Sequence, residues 1–182
     1  LIHLYLDLAA GELFAIRDSF PKVLELAKST GLLTSVAWAE YFHAAACYLQ
    51  NDLKVAERHF IRVQELENSS HAICFVHSMI GLAFARQGQG APDEASRAIL
   101  EAMEYVTRMQ NYDLIETVNA AAAELAVRQS RLDDGLVWLA ANRYDTALDV
   151  AIHFYLPMLA SVRVLLASGT DANLAAANIR LA

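Results

Sequence analysis

One pattern recurs along this chain and restricts its fold more than any other feature. An apolar run is followed by a bend built on Gly, Asn or Ser, and then by an amphipathic run. It is plainest from Gly81 to Met109. There, Gly81-Leu82-Ala83-Phe84-Ala85-Arg86-Gln87-Gly88 leads through Gln89-Gly90-Ala91-Pro92 into Asp93-Glu94-Ala95-Ser96-Arg97-Ala98-Ile99. Pro92 is tolerated in a first helical turn because its missing N–H would be unpaired there, and Asp93 and Glu94 suit the positive end of the helix dipole. One helix ends and a second runs back along it, with Gly81, Ala95 and Ala102 small enough to let the two backbones approach closely. Ala44 to Phe60 repeats the pattern, with Asn51, which takes the left-handed conformation cheaply, in place of Gly88. A third copy runs from Ala123 to Ser130 and on to Gly135 and Leu139, and a fourth ends at Gly169. Punctuation at 51, 88, 130 and 169 gives steps of 37, 42 and 39 residues. A period in this range, with two helices per copy, predicts an all-α solenoid of antiparallel helix pairs.

At 182 residues the chain is long enough for a substantial core. Apolar residues make up 56%, above the roughly 45–50% of an average soluble chain, and only 3 Pro and 7 Gly appear, nearly all at expected bends. No apolar run reaches the ~18 uncharged residues of a membrane span. The nearest candidate, Ile152 to Ala167, holds His153, Pro157 and Arg163. A net charge of −7, with 14 basic residues scattered from Arg17 to Arg180, argues against the concentrated positive surface that nucleic-acid binding needs. Cys47 and Cys74 fall inside expected helices and form neither a disulfide framework nor a CxxC site, which fits a cytoplasmic protein. Leu1 is not an initiator Met, and the chain is expected to be a fragment of something longer.

The expected helices begin with Leu1–Ala10, closed by Gly11, and Glu12–Ser29, within which Pro21 starts a fresh helix. Thr34 or Ser35 is expected to cap a helix to about Gln50, Asp52 its partner to about Glu67, and Ser70 the next, to Gln87. Helices over Pro92–Met109, Asn111–Arg128, Asp133–Asn142 and Met158–Ala167 follow, with a connection at 143–145, a possible start at 147–152 and a last helix from Asp171 or Asn173. The alternating rhythm of a strand is absent. Residues 1–182 thus read as one domain of helix pairs at about 1–31, 33–67, 70–109, 111–142 and 147–182.

Four segments carry a family resemblance: Tyr48-Leu49-Gln50-Asn51-Asp52-Leu53-Lys54-Val55-Ala56-Glu57-Arg58-His59-Phe60, Gly81-Leu82-Ala83 with Gln87-Gly88-Gln89-Gly90, Val137-Trp138-Leu139, and Leu156-Pro157-Met158 through Gly169-Thr170. On these, and over nearly its whole length, the chain resembles the tetratricopeptide-like region of MalT-type transcriptional regulators of the LuxR family. The resemblance implies a right-handed α-α superhelix, an upstream ATPase module that would bind ATP, and a C-terminal helix-turn-helix domain that would bind DNA. Neither a P-loop nor a recognisable DNA-binding helix pair occurs in these residues. No cofactor is therefore expected here, and ATP and DNA belong to absent modules of a parent protein. Two departures stand out: the repeats exceed the usual length of about 34 residues, and Gly135 occupies a position where Ala normally packs.

In tetratricopeptide folds the first helix of each pair lines a concave groove. Matching Ala44 to Gly81 makes Trp38, Tyr41, Ala45 and Tyr48 groove-facing. Phe75, Ser78, Leu82 and Ala85 follow with Arg86 beside them, then Thr117, Ala120, Glu124 and Val127 with Arg128 alongside. Spacings of 3, 4 and 3 place each set on one helical face. An aromatic wall edged by Arg86, Glu124 and Arg128 would suit a sugar, a nucleotide fragment or a peptide. The plainer account is that these aromatics pack between repeats, as every solenoid requires. Lys54, Arg58 and Arg62, flanked by Glu57 and Glu65, read as a solvated ridge. His71 and His77 are too far apart on one helix to share a metal. Asp133 and Asp134 read as helix-starting residues and the two cysteines as small buried hydrophobes. No Ser/His/Asp or Cys/His arrangement follows from spacing, so an enzyme is the least supported class. The expected function is a non-catalytic sensor and protein-interaction domain of a LuxR/MalT-type regulator, binding an inducer or a regulatory protein and associating with its own copies through apolar ends. The alternative is a scaffold that binds a peptide or protein partner and senses no small molecule. No membrane partner is expected.

Overall fold

The structure, a computed structural model, describes residues 1–141, 155 and 157–181. Every regular element among them is an α-helix: α1 (Ile2–Ala10), α2 (Leu13–Ser29), α3 (Leu33–Leu49), α4 (Leu53–Gln64), α5 (Ala72–Gly88), α6 (Pro92–Met109), α7 (Tyr112–Arg128), α8 (Leu132–Ala141), α9 (Pro157–Ser168) and α10 (Asp171–Leu181). The expected connection at 143–145 and helix start at 147–152 lie outside the described residues. Among the described residues, no helix is long and apolar enough to cross a membrane.

The bends that close the odd-numbered helices obey one rule, while Gly31 and Gln110, after α2 and α6, are left-handed as well, at φ 69° and 52°. A left-handed residue follows each odd-numbered helix: Gly11 (φ 75°), Asn51 (φ 61°), Gly90 (φ 81°), Ser130 (φ 62°) and Gly169 (φ 66°). At the first four, the amide of that residue donates to the carbonyl three residues back, and the next amide donates to the carbonyl five back. Asn51 and Asp52 reach Tyr48 and Cys47 at 2.9 and 2.8 Å, and Gly90 and Ala91 reach Gln87 and Arg86 at 3.1 and 3.0 Å. The turns therefore recur at 11, 51, 90, 130 and 169, at intervals of 40, 39, 40 and 39 residues. This corrects the expected punctuation at Gly88, which is the last residue of α5; the left-handed conformation belongs to Gly90.

The two helix types are built differently because they are buried differently. Residues 39–47 of α3 and 74–85 of α5 are buried without a break, as a helix apolar all round must be. The even-numbered helices bury one face each: Ala56, Phe60 and Val63 in α4, and Ala95, Ile99, Ala102 and Val106 among others in α6. Each odd-numbered helix packs on the next odd-numbered one from α1 to α9, and α2, α4, α6 and α8 each pack on the odd-numbered helices before and after. The backbones of the even-numbered helices stay apart among the described residues, and long side chains bridge them, as where Gln64 of α4 donates to Glu101 of α6 at 2.9 Å.

Gly81 makes a close approach possible, but the approaching group is a ring from α4 rather than the backbone of α6. A Cβ at Gly81 would stand 2.2 Å from Cζ of the fully buried Phe60. Burying that ring contributes about 2–3 kcal/mol. At Gly135 a Cβ would stand 2.8 Å from Val127 and 3.3 Å from Val164, so valines from α7 and α9 pack where an alanine would intrude.

Several expected helix starts are corrected. Asp52 holds the N-cap position of α4 as expected, but its side chain makes no capping hydrogen bond and pairs instead with Arg17 at 3.1 Å. Thr34 lies inside α3 and donates to the Ser69 carbonyl at 2.6 Å, while Leu32 is the cap residue. His71 rather than Ser70 caps α5, its Nδ1 accepting from the Ile73 amide at 3.3 Å. Asn111 does cap α7, accepting from the Leu114 amide at 3.2 Å. Pro21 lies inside the continuous α2 instead of starting a new helix. It is exposed, and buried Ile16 and Phe20 on one side with Ala27 on the other anchor the helix across it.

Candidate functional site

Six residues before the left-handed positions 51, 90, 130 and 169 stand Ala45, Phe84, Glu124 and Arg163, one on each of α3, α5, α7 and α9. Glu124 is 1% exposed, and a carboxylate so placed must be paired to remain charged. Its Oε1 accepts from Arg128 Nε at 3.0 Å and also from Nη2, and its Oε2 accepts from Arg163 Nη1 at 2.8 Å. Arg128, one turn further along α7, lies over the Phe84 ring at 4.6 Å and donates to the Tyr48 hydroxyl of α3. The Tyr155 ring lies 5.5 Å from that of Phe84.

Burial by itself pulls the Arg128 pKa down, but the charge of Glu124 and the bonds to Glu124 and Tyr48 outweigh it and leave it raised. The guanidinium therefore stays charged. The side chains of Arg128 and Arg163 keep 36% and 47% of their surface exposed. Two cations share one anion, so the cluster carries a local excess of one positive charge on a chain of net charge −7. Such an arrangement can hold and orient an anion. Arginine does not give up its proton in this setting, so proton transfer is not among its uses.

Of the residues expected to face or edge a groove, Tyr48, Glu124 and Arg128 converge here. The others separate. Trp38 stacks on Phe42 and meets Tyr41 edge-on, each at 5.6 Å, and Tyr41 is buried. Phe75 packs on Tyr105 of α6 at 4.3 Å, and Ser78 is buried. Arg86 turns away to Glu57 of α4 at 2.9 Å, where Gln89 joins it at 2.8 Å. Tyr41, Ala45, Phe75, Ser78, Leu82 and Ala85 thus line the interior between helices and not an open groove.

Phe84 is missed because taking Gly88 as the turn places Leu82 opposite Glu124; with Gly90 as the turn, Phe84 falls in that row. Arg163 stands six residues before Gly169 in either register and is missed because the groove face is assigned only in the first three copies.

Elsewhere, Cys47 and Cys74 are buried thiols whose pKa values burial pushes up, away from the reactive thiolate. Lys54, Arg58 and Arg62 are exposed, and Arg62 pairs with Glu65 at 2.8 Å. Asp134 pairs with Arg131. A cleft of about 400 Å³ lies between α6, α7 and α8, lined by Ser96, Ile99, Leu100, Asn119 and Trp138 among others, apart from the arginine cluster. No family model, curated protein or solved structure matches the chain.

Proposed function

We propose that the chain is a non-catalytic recognition domain, a right-handed α-α superhelix of tetratricopeptide-like helix pairs that holds a partner or inducer on its solvent-facing surface. Within a longer cytoplasmic protein it acts as the sensor and interaction domain of a LuxR/MalT-type transcriptional regulator. The observation that carries this reading is the equal spacing of the left-handed turns that close the odd-numbered helices, at 40, 39, 40 and 39 residues, together with the packing of odd-numbered helix on odd-numbered helix. A unit repeated with the same step and the same neighbour contact builds an extended surface, and such surfaces serve binding. The cluster around Glu124 supports it further, because its groups come from α3, α5, α7 and α9 and so read the whole array.

A scaffold that binds a protein or its own copies is favoured by a separate observation. Ile2, Phe14 and Ile179 are 73%, 77% and 77% exposed, near the two ends of the helix series. The coding sequence on either side tests the regulator reading: a P-loop module upstream and a helix-turn-helix downstream are expected, and finding neither leaves the scaffold. Small-angle scattering tests the shape. A superhelix has a radius of gyration clearly above the ~16 Å of a compact globule of this length, and a value at that level would remove the superhelix.

A further inference from the structure

We propose that the outward faces of Arg128 and Arg163 form a binding site for the phosphate or carboxylate group of a small ligand, bridging α7 and α9. The proposal rests on the recognition reading above and names the chemistry of its ligand. Glu124 holds both guanidiniums within reach of one another, since each donates to one of its two carboxylate oxygens. Arg163 uses one of its five N–H groups on Glu124, and nearly half of its side chain faces solvent. Arg128 is pinned between the Phe84 ring, Tyr48 and Glu124, so its fork is already oriented. The one buried carboxylate neutralises one of the two cations. The remaining charge and the unused donors match an oxyanion, which planar guanidinium groups bind through paired hydrogen bonds. Because the two arginines lie on different helix pairs, an anion held by both ties α9 to α7.

The test measures thermal unfolding and hydrogen exchange of the chain with inorganic phosphate, and separately with succinate, each against sodium chloride at matched ionic strength. Matching matters because simple screening weakens the Glu124 pairs and works in the opposite direction. Binding is expected to raise the melting temperature by about 3 °C at about 20 mM anion, with slower exchange in α9. Arg163→Gln is expected to abolish the rise, and Arg163→Lys, which keeps the charge but loses the fork, to reduce it. Arg131→Gln, which removes an exposed arginine paired with Asp134, is expected to leave it unchanged. A rise with phosphate alone assigns the site to phosphoryl groups, and a rise with succinate alone to carboxylates. No rise above the chloride control, or an equal rise in Arg163→Gln, overturns the proposal. Should Arg163→Gln fail to fold, the Arg163→Lys and Arg131→Gln pair carries the same decision. Scattering on the same samples judges the superhelix independently, so loss of the anion site and loss of the recognition reading are told apart.

Discussion

His43 lies flat against the Phe20 ring, 3.9 Å away at 14°, with the edge of His59 at 4.4 Å and Cys47 Sγ 3.6 Å from its Nε2. Its Nδ1 has no hydrogen-bond partner, and His59 is turned to Glu40 at 2.6 Å. Burial first, then the charges of His59 and Arg17, lower the His43 pKa to about 4, while Asp52 acts the other way. An unfolded histidine titrates near 6.5, so between that pH and about 4 the unfolded chain binds a proton that the folded chain refuses. Stability is expected to fall with acid across this window. Urea unfolding should give about 2 kcal/mol less at about pH 5 than at about pH 7 from this group. His43→Phe, which keeps the stacked ring, should remove that part of the slope. Gly81 makes a second residue-scale case. Helix propensity alone would have alanine gain about 1 kcal/mol, but its methyl group would strike the Phe60 ring. Gly81→Ala is therefore expected to destabilise by about 1–3 kcal/mol in denaturant titrations, because overpacking outweighs propensity.

The fifth residue of α2, α4 and α6, respectively Arg17, Glu57 and Ser96, reaches the glutamine that closes the next odd-numbered helix. Arg17 donates to Gln50 at 2.9 Å, Gln89 donates to Glu57 at 2.8 Å, and Ser96 and Gln129 bond each other at 3.4 and 3.2 Å. Gln129 also donates to Gln87 and to the Pro92 carbonyl, at 2.9 and 3.1 Å, so it links α5, α6 and the end of α7. Gln129→Ala is expected to cost about 1–2 kcal/mol, measured by chemical denaturation, since several partially buried partners lose their bonds together. The helices themselves were legible as apolar runs with polar bends, because burial of a stripe leaves its period in the sequence. Of their caps Asn111 was legible, but not those expected of Asp52 and Thr34, whose side chains bond to Arg17 and Ser69, more than thirty positions away. The register was off by two because Gly88 and Gly90 stand side by side at one bend and only the backbone angle separates them. That slip hid Phe84 from the row of Glu124, whereas Arg163 already stood six residues before Gly169 on a copy whose groove face was not assigned; Tyr48, Glu124 and Arg128 were already candidates. Gln50, Gln89 and Gln129 were in plain view, each one residue before its turn, and the register from Gly90 is what aligns them.

Among the described residues, burial is greatest in α3 and α5 and falls toward α1, which buries only Leu4, and α10, which buries only Ala177, so protection from solvent is graded along the chain. α3 and α5, packed against one another and flanked by even-numbered helices on both sides, lie deepest. α9 joins α7 and α8 at one end, and α10 packs on α9, burying Ala177 with Val162 and Leu165 in a small separate cluster. In an array held by neighbour contacts, stability is a sum over units and interfaces, and an end unit can open while the rest stays folded. Among the described residues, the pairing of buried Glu124 with half-exposed Arg163 is the charged link between this end and the remainder. Glu124→Leu would leave two guanidiniums without their shared anion, at a cost of about 2–3 kcal/mol because both retain partial access to water. If the array behaves as a sum of units, that loss falls on the α7–α9 interface. Hydrogen exchange is then expected to quicken in α9 and α10 by about tenfold or more, while α3 and α5 keep their protection. A uniform quickening through all of the helices would instead mark a single cooperative body, in which the repeated turns share an ancestry of form but not an independence of folding.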